Sequence, residues 1–288
     1  MDLVTKFTSY VDEQFSTESR SSLLAKATFD FSGANQIAIW AVDTGTMQDY
    51  LRADETGEGG KKVVDQLNSG KSLYGDIEQL DATATFYTLE KDRSFAFVVD
   101  ALDLKETAGV LKAGEALARQ NRERIIPEID AFVVNKMIAG AGTKPTAKEL
   151  TALNIYEEII TANSVLDEAE VPESGRVLLV TPATMLLMKK CEDLTLEDVT
   201  NEEMKKRGVI SNLDGLTVVK IPSNRVPADF GFMIAHPSCT AAPEKLRSFN
   251  VHTNPPGING TLVEGRVCYG AFVLPNKADG IYYQAISD

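Results

Sequence analysis

The residues best suited to chemistry in this chain are two histidines, three cysteines and a cluster of carboxylates. Neither His236 nor His252 stands in H-E-x-x-H or another ligand spacing, so both are read as structural and no metal site is expected. Cys191, Cys239 and Cys268 lie far apart and never form C-x-x-C, so neither a disulfide framework nor a cysteine zinc site is suggested. They read as free thiols of a reducing cytoplasm. Gly57-Glu58-Gly59-Gly60-Lys61-Lys62 has the flavour of a phosphate loop but fails G-x-x-x-x-G-K-[ST], and no buried strand leads directly into it. It is a flexible polar tract. Glu157, Glu158, Asp167, Glu168, Glu170 and Glu173 read as a solvated helix face rather than a cation site. G-x-S-x-G and G-x-G-x-x-G are absent, and the sequon Asn259-Gly260-Thr261 is meaningless without a secretory route. No catalytic, cofactor-binding or metal-binding residue is assigned, and the chain is read as no enzyme.

The elements that would position such residues are more informative. Residues 1–35 show no strong period and read as an arm with short helices. Gln36 to Val42 alternates and is rich in β formers, which predicts a strand. From Asp43 to Asp81 glycines and charges dominate, and then Thr83 to Leu89 and Phe95 to Val99 read as strands around a turn at Glu90-Lys91-Asp92-Arg93. The simplest architecture is a long β excursion, leaving near residue 42 and returning near residue 83. So long a polar excursion is better explained if it lies on a neighbour.

Asp103-Leu104-Lys105-Glu106 then has the spacing of a capping box. Behind it apolar residues recur every three or four positions to the stop at Gly140-Ala141-Gly142, with a kink expected at Pro127. About 35 helical residues would span roughly 50 Å, the diameter of a compact globule of this length, so a flat, elongated subunit is expected. Further on, the pattern predicts a helix over Lys148 to Asp167, a buried strand over Arg176 to Thr181, and a helix opening at Pro182 that carries Met185, Leu186, Leu187 and Met188. A charged helical stretch over Leu196 to Lys206 follows. Strands are predicted at Thr217 to Ile221, Phe230 to Ala235, Leu246 to Thr253, Thr261 to Phe272 and Ile281 to Ala285. No internal repeat is visible, so subdomains should interleave.

Bulk properties narrow the function. With 43% hydrophobic and 25% charged residues the chain has the composition of an ordinary globular protein. A formal charge of −13 opposes the basic footprint of a protein that grips phosphate backbones. It suits a container, whose acidic lining would let a packed polyanion move. The first residues lack a basic region followed by an apolar core, and the apolar stretch Val177 to Met188 is too short and too interrupted to cross a bilayer. Synthesis in the cytoplasm and no membrane partner are expected. Almost no reactive side chains, a long excursion and a molecule-length helix suggest a subunit whose work is contact with copies of itself.

At Asp92-Arg93-Ser94-Phe95, Asp100, Asp103, Glu106-Thr107 and Ile126-Pro127-Glu128-Ile129-Asp130-Ala131-Phe132 the chain resembles the major capsid proteins of tailed bacteriophages with the Hong Kong 97-like fold. The likeness continues through Arg176 to Lys189, Gly215 to Val219 and Val267 to Ala271, covering residues 36–288, although Lys91 to Phe95 is shorter than the family's D-R-x-R-S-F segment. The resemblance implies an α+β capsid fold with an N-terminal arm (1–35), an extended β loop (36–92), a peripheral domain with a long spine helix (93–145 and 241–266) and an α/β axial domain (146–240 and 267–288). It also implies a coat protein that assembles as hexamers and pentamers into an icosahedral shell around phage double-stranded DNA, without sequence-specific binding. Its partners would be copies of itself, a portal, a decoration protein, and either a separate scaffolding protein or none, since too few residues precede the loop for a fused one. Its place would be the virion capsid, after synthesis in the host bacterial cytoplasm.

Some members of that family join a loop lysine to a neighbour's asparagine beside a glutamate. Lys61, Lys62 and Lys71 lie in the loop and Glu264 stands near the matching place, but Asn254 and Asn259 are at the wrong spacing from it, so no cross-links are expected. The alternative is an encapsulin-like nanocompartment shell. An enzyme with residues 176–221 as substrate domain is a further rival, but the sequence offers it no convergent set of polar side chains.

Overall fold

A computed structural model of the chain describes residues 19–25, 36–42, 44–50, 74, 78–102, 113–191, 197–198 and 209–287. The expectations for the capping box at residue 103, the polar tract 57–62, Lys71 and most of the arm fall outside the described residues. The chain divides into two compact units, Gln36–Tyr87 and the remainder.

In the smaller unit β1 (Gln36–Val42) pairs with β2 (Ala82–Thr88) in a two-stranded ribbon. The departing and returning chains are tied beyond the strands, where Thr46 donates its backbone N–H (3.0 Å) and its hydroxyl (2.5 Å) to Glu78. Those two bonds, the hydroxyl's first, hold the exposed Glu78 carboxyl below its ordinary pKa.

The larger unit begins with a single helical turn, α1 (Ser21–Leu24). Its first sheet places β11 (Gly260–Tyr269) between β3 (Lys91–Asp100) and β10 (Glu244–Thr253), all antiparallel. The turn predicted at residues 90–93 is thus shorter. Lys91, Asp92 and Arg93 are already strand, because β11 pairs with β3 as far as Lys91. The predicted strand Thr261 to Phe272 breaks after Tyr269, where the Gly270 N–H turns to the Pro243 carbonyl. Phe272–Val273 (β12) pairs instead with Thr240–Ala241 (β9).

The spine helix runs without a break through α2 (Ala113–Gln120), a π turn (Asn121–Ile125) and α3 (Ile126–Gly140). These 28 residues span about 42 Å at 1.5 Å each. The disturbance expected of Pro127 takes the form of that widened turn. Proline offers no N–H to the carbonyl one turn back and crowds it, and the Ile126 N–H reaches back to Asn121. The helix stops at Gly140, as the glycines predict. At Gly142 an added Cβ would lie 2.7 Å or less from residues 278 and 279, while its N–H donates to the Ala278 carbonyl.

The second sheet has the order β13-β8-β4-β7-β6-β5, with β4 (Val177–Val180) parallel to β7 (Leu216–Lys220) and antiparallel to β8 (Phe230–Ala235). Every residue of β4 and β8 is buried. Alternation explains this. Val177, Leu179 and Met233 join the core around Val133 and Met137 of the spine, whereas Leu178, Val180, Phe232 and Ile234 join the core around α4 (Ile155–Glu168) and α5 (Pro182–Lys190). At its edges stand β13 (Ile281–Ala285) and the pair β5 (Glu197–Asp198) and β6 (Val209–Leu213).

Two helix predictions are corrected here. The helix expected from Lys148 starts at Ile155, because residues 143–148 run beside the last strand, with bridges Thr143 to Tyr282 and Lys148 to Ile286. Of the stretch Leu196 to Lys206, for which the pattern predicts a helix, only Glu197 and Asp198 are among the described residues, and they pair with Asn212 and Ser211 of β6, a strand not anticipated. A two-residue turn at Asp214-Gly215 closes β6 onto β7 with both residues at positive φ. Asp-Gly between apolar runs is the local signal that could have revealed it.

Candidate assembly surfaces

Several of the side chains singled out for chemistry have structural partners. His236 caps the turn Pro237–Cys239: its Nδ1 accepts from the Ser238 N–H (3.3 Å) and lies 2.7 Å from the Ser238 hydroxyl. His252 lies 3.5 Å from Glu264 on an exposed strand face. Cys191 and Cys239 are buried, Cys268 is partly exposed, and all three are free thiols. Burial is the largest influence on Cys239 and pushes its thiol up, away from the thiolate form. Of the clustered acids, Glu158 pairs with Lys148 (2.8 Å) and Asp167 with Arg176 (2.6 Å). Among the described residues no group of His, Cys, Asp and Glu is arranged to hold a metal ion. No described helix is long and apolar enough to cross a membrane.

Arg176 escaped the sequence reading as anything but the start of a strand. Buried to 1% exposure, it donates to the carbonyls of Pro172 and Val171 and to the Asn163 side chain, fastening α4 to β4. No sequence pattern marks such a staple.

The surfaces are what remain for function. In the ribbon unit the exposed large apolar residues are Trp40, Val42, Met47, Tyr50, Tyr74, Leu80 and Phe86, seven of the thirteen described in the whole chain. Trp40 and Phe86 are 64% and 63% exposed, in strands whose alternate positions are more covered. A two-stranded ribbon cannot bury both its faces. This concentration in a unit of 52 residues marks a contact surface.

The three-stranded sheet offers a second surface of opposite character. Its inner face carries Phe95, Phe249, Val263 and Val267, of which Phe249 and Val267 join the core of the spine and Phe95 faces Ile125 across a small cavity. On the outer face Ser94, Arg266 and Ser248 form one cross-strand row and Ala96, Glu264 and Asn250 the next. Arg266 reaches diagonally to Asp92 in the neighbouring row (Nε to Oδ1 2.9 Å), and that bond holds the exposed Asp92 carboxyl below its ordinary pKa. Register places Asn250, not Asn254 or Asn259, opposite Glu264. At the end of the sheet the spine stripe Glu128, Phe132 and Lys136 is clamped. Arg93 (2.7 Å) and the Tyr269 hydroxyl (3.2 Å) meet Glu128, the Tyr269 ring stands edge-on to Phe132, and Lys136 pairs with Glu90 (2.6 Å). Burial, followed by the Glu128 charge, pushes the Tyr269 phenol up to about 12.

The family model of phage capsid protein matches residues 82–284. The chain belongs to the phage capsid protein family. Solved structures agree on the fold of this coat protein. That of Mycobacterium phage Che8 is 20% identical, with 99% of this chain and 97% of that one covered and a TM-score of 0.74. The mature capsid of bacteriophage PhiM1 is 14% identical, with 99% and 92% covered and a TM-score of 0.71. A virus-like particle from Pyrococcus furiosus is more distant, 11% identical over 93% and 92% of the two chains with a TM-score of 0.50. No curated protein matches the sequence. The fold is therefore the α+β capsid fold expected from the resemblance, and the chain is a phage major coat protein whose place is the virion capsid.

Proposed function

We propose that this coat protein closes into an icosahedral shell of hexamers and pentamers around phage double-stranded DNA, and that the ribbon unit is the arm by which each subunit holds its neighbours. The observation that carries the reading is the apolar surface exposed on the ribbon, Trp40, Val42 and Phe86 above all, in a family whose members build capsids. Residues 1–35 serve as the N-terminal arm, 36–92 as the extended loop, 93–145 with 241–266 as the peripheral domain, and 146–240 with 267–288 as the axial domain. The role is structural, with no catalysis. The net charge of −13 suits a lining that does not grip its contents. The remaining partners are a separate scaffolding protein, a portal and a decoration protein, met after synthesis in the host cytoplasm. An encapsulin-like shell is the other reading, and nuclease-protected DNA in purified particles separates the two.

Deleting Thr46 to Tyr74 is the test. Circular dichroism and thermal melting should show a folded subunit, since loop length enters stability only logarithmically. Electron microscopy should show no shells, because each lost contact is multiplied by symmetry. Normal particles would refute the arm, and an unfolded chain would place the segment in the subunit's own core.

A further inference from the structure

Asp130 lies on α3 with no exposed surface and takes no part in either surface described above. Both its oxygens are shared. Oδ1 accepts from the Ser19 hydroxyl (2.8 Å) and the Ser21 N–H (3.1 Å), and Oδ2 from the Arg20 N–H (2.9 Å) and the Arg225 guanidinium (2.8 Å). Three of these four donors thus come from the N-terminal segment, and the fourth from the turn Ser223–Arg225 between β7 and β8. Three residues beyond Ser21, Leu24 is wholly buried in the core that holds Ile129, Val133 and Met137. A helix of four residues has no stability of its own, so α1 exists because it is docked. A buried carboxylate and guanidinium, in turn, are tolerable only while their remaining hydrogen-bonding positions are filled.

We infer that residues 19–24 form a latch, a Ser-x-Ser-x-x-Leu plug whose docking completes the shell of donors around Asp130 and thereby fixes the spine helix and the Arg225 turn together. Undocking strips Asp130 of three donors, opens a leucine-sized void in the core and leaves Arg225 paired to a carboxylate that nothing else orients. The N-terminal segment is in this way coupled to a turn some two hundred residues away through one side chain.

Hydrogen exchange on the full-length subunit tests this with the double substitution Ser19→Ala and Leu24→Ala. Exchange should rise on the order of tenfold in three places, residues 19–25, 126–134 and 223–226, while α4 and β13 stay as protected as before. A rise confined to 19–25 would overturn the coupling, and so would a uniform rise over the chain. A second measurement avoids any folding defect of the variant: the folded chain is cut by a protease site placed between residues 26 and 35, and the N-terminal fragment is removed. A synthetic peptide of residues 17–27 should then restore slow exchange at 223–226, and the same peptide with Leu24→Ala should not. Equal protection with both peptides, or with neither, refutes the latch.

Discussion

Replacing Gly265 by alanine puts a single methyl group where the central strand of the three-stranded sheet has no room for one. Register sets Phe95 of β3 and Phe249 of β10 on either side of this glycine, with ring centroids 6.0 Å apart. A Cβ at residue 265 would lie 2.3 and 2.4 Å from two atoms of the Phe95 ring and 2.8 Å from Phe249, against 3.4 Å or more for an ordinary contact. Both rings must retreat, Phe95 by about an ångström. Phe97 stacks beside Phe95, while a cavity of about 140 Å³ lined by Phe95, Ile125 and Tyr269 offers limited room for the ring to retreat. Overpacking of this kind costs about 1–3 kcal/mol, and the reduced freedom of the unfolded chain returns about 0.4–1 kcal/mol. The expected net loss is about 1–2 kcal/mol, read as a lower urea midpoint at unchanged slope. Phe95→Leu replaces the obstructing ring by a shorter branched chain. In a double-mutant cycle it should recover about 1 kcal/mol of the loss. Gly265→Ala at or above wild-type stability, or strict additivity with Phe95→Leu, would refute the reasoning.

Asp130→Ala removes the counter-ion of an arginine only 3% exposed, and breaking such a pair costs about 3–5 kcal/mol. In thermal melts the double variant Asp130→Ala with Arg225→Met should be more stable than Asp130→Ala alone. The Tyr269 phenol, pushed up to about 12, favours folding while protonated, so its contribution is intact below pH 10 and lost between pH 10 and about 12. Tyr269→Phe should therefore flatten the fall in melting temperature over that window, and an unchanged alkaline profile would count against the burial and the Glu128 contact as its cause. Assembled particles should run as a single band of about 31 kDa on a denaturing gel, since Glu264 is half exposed beside His252 rather than enclosed as a base would need. Ladders of covalent multimers would reverse that expectation and point to Asn250, its register partner.

Local chemistry made much of the fold legible. β1, β8 and β13 fall on the residues their apolar patterns indicate, Gly140 ends the spine, and Pro182 opens α5 behind Thr181, whose hydroxyl accepts from the Thr184 N–H. In each case neighbours in sequence decide the outcome, through strand alternation, a missing Cβ or a missing N–H. Where distant partners compete, the pattern misleads. Residues 148–154 have helical spacing, but the free backbone beside Tyr282 and Ile286 claims residues 143–148 as an edge. Glu197 is a good helix former, yet β6 offers it and Asp198 a ladder.

The sequence by itself was enough to indicate a coat protein, through the order and spacing of the segments at residues 92–95, 126–132 and 176–189, because such motifs are local properties that need no coordinates. Only the tertiary structure decided which charges are buried and which glycine is indispensable. Asp130 sits among ordinary spine residues, and its role appears only when Ser19 and Arg225, 111 and 95 positions away, converge on it. Gly265 is one small residue in a long strand until register brings two phenyl rings across it. Both are set by distances between segments that share no local pattern, and such distances exist only once the core has closed.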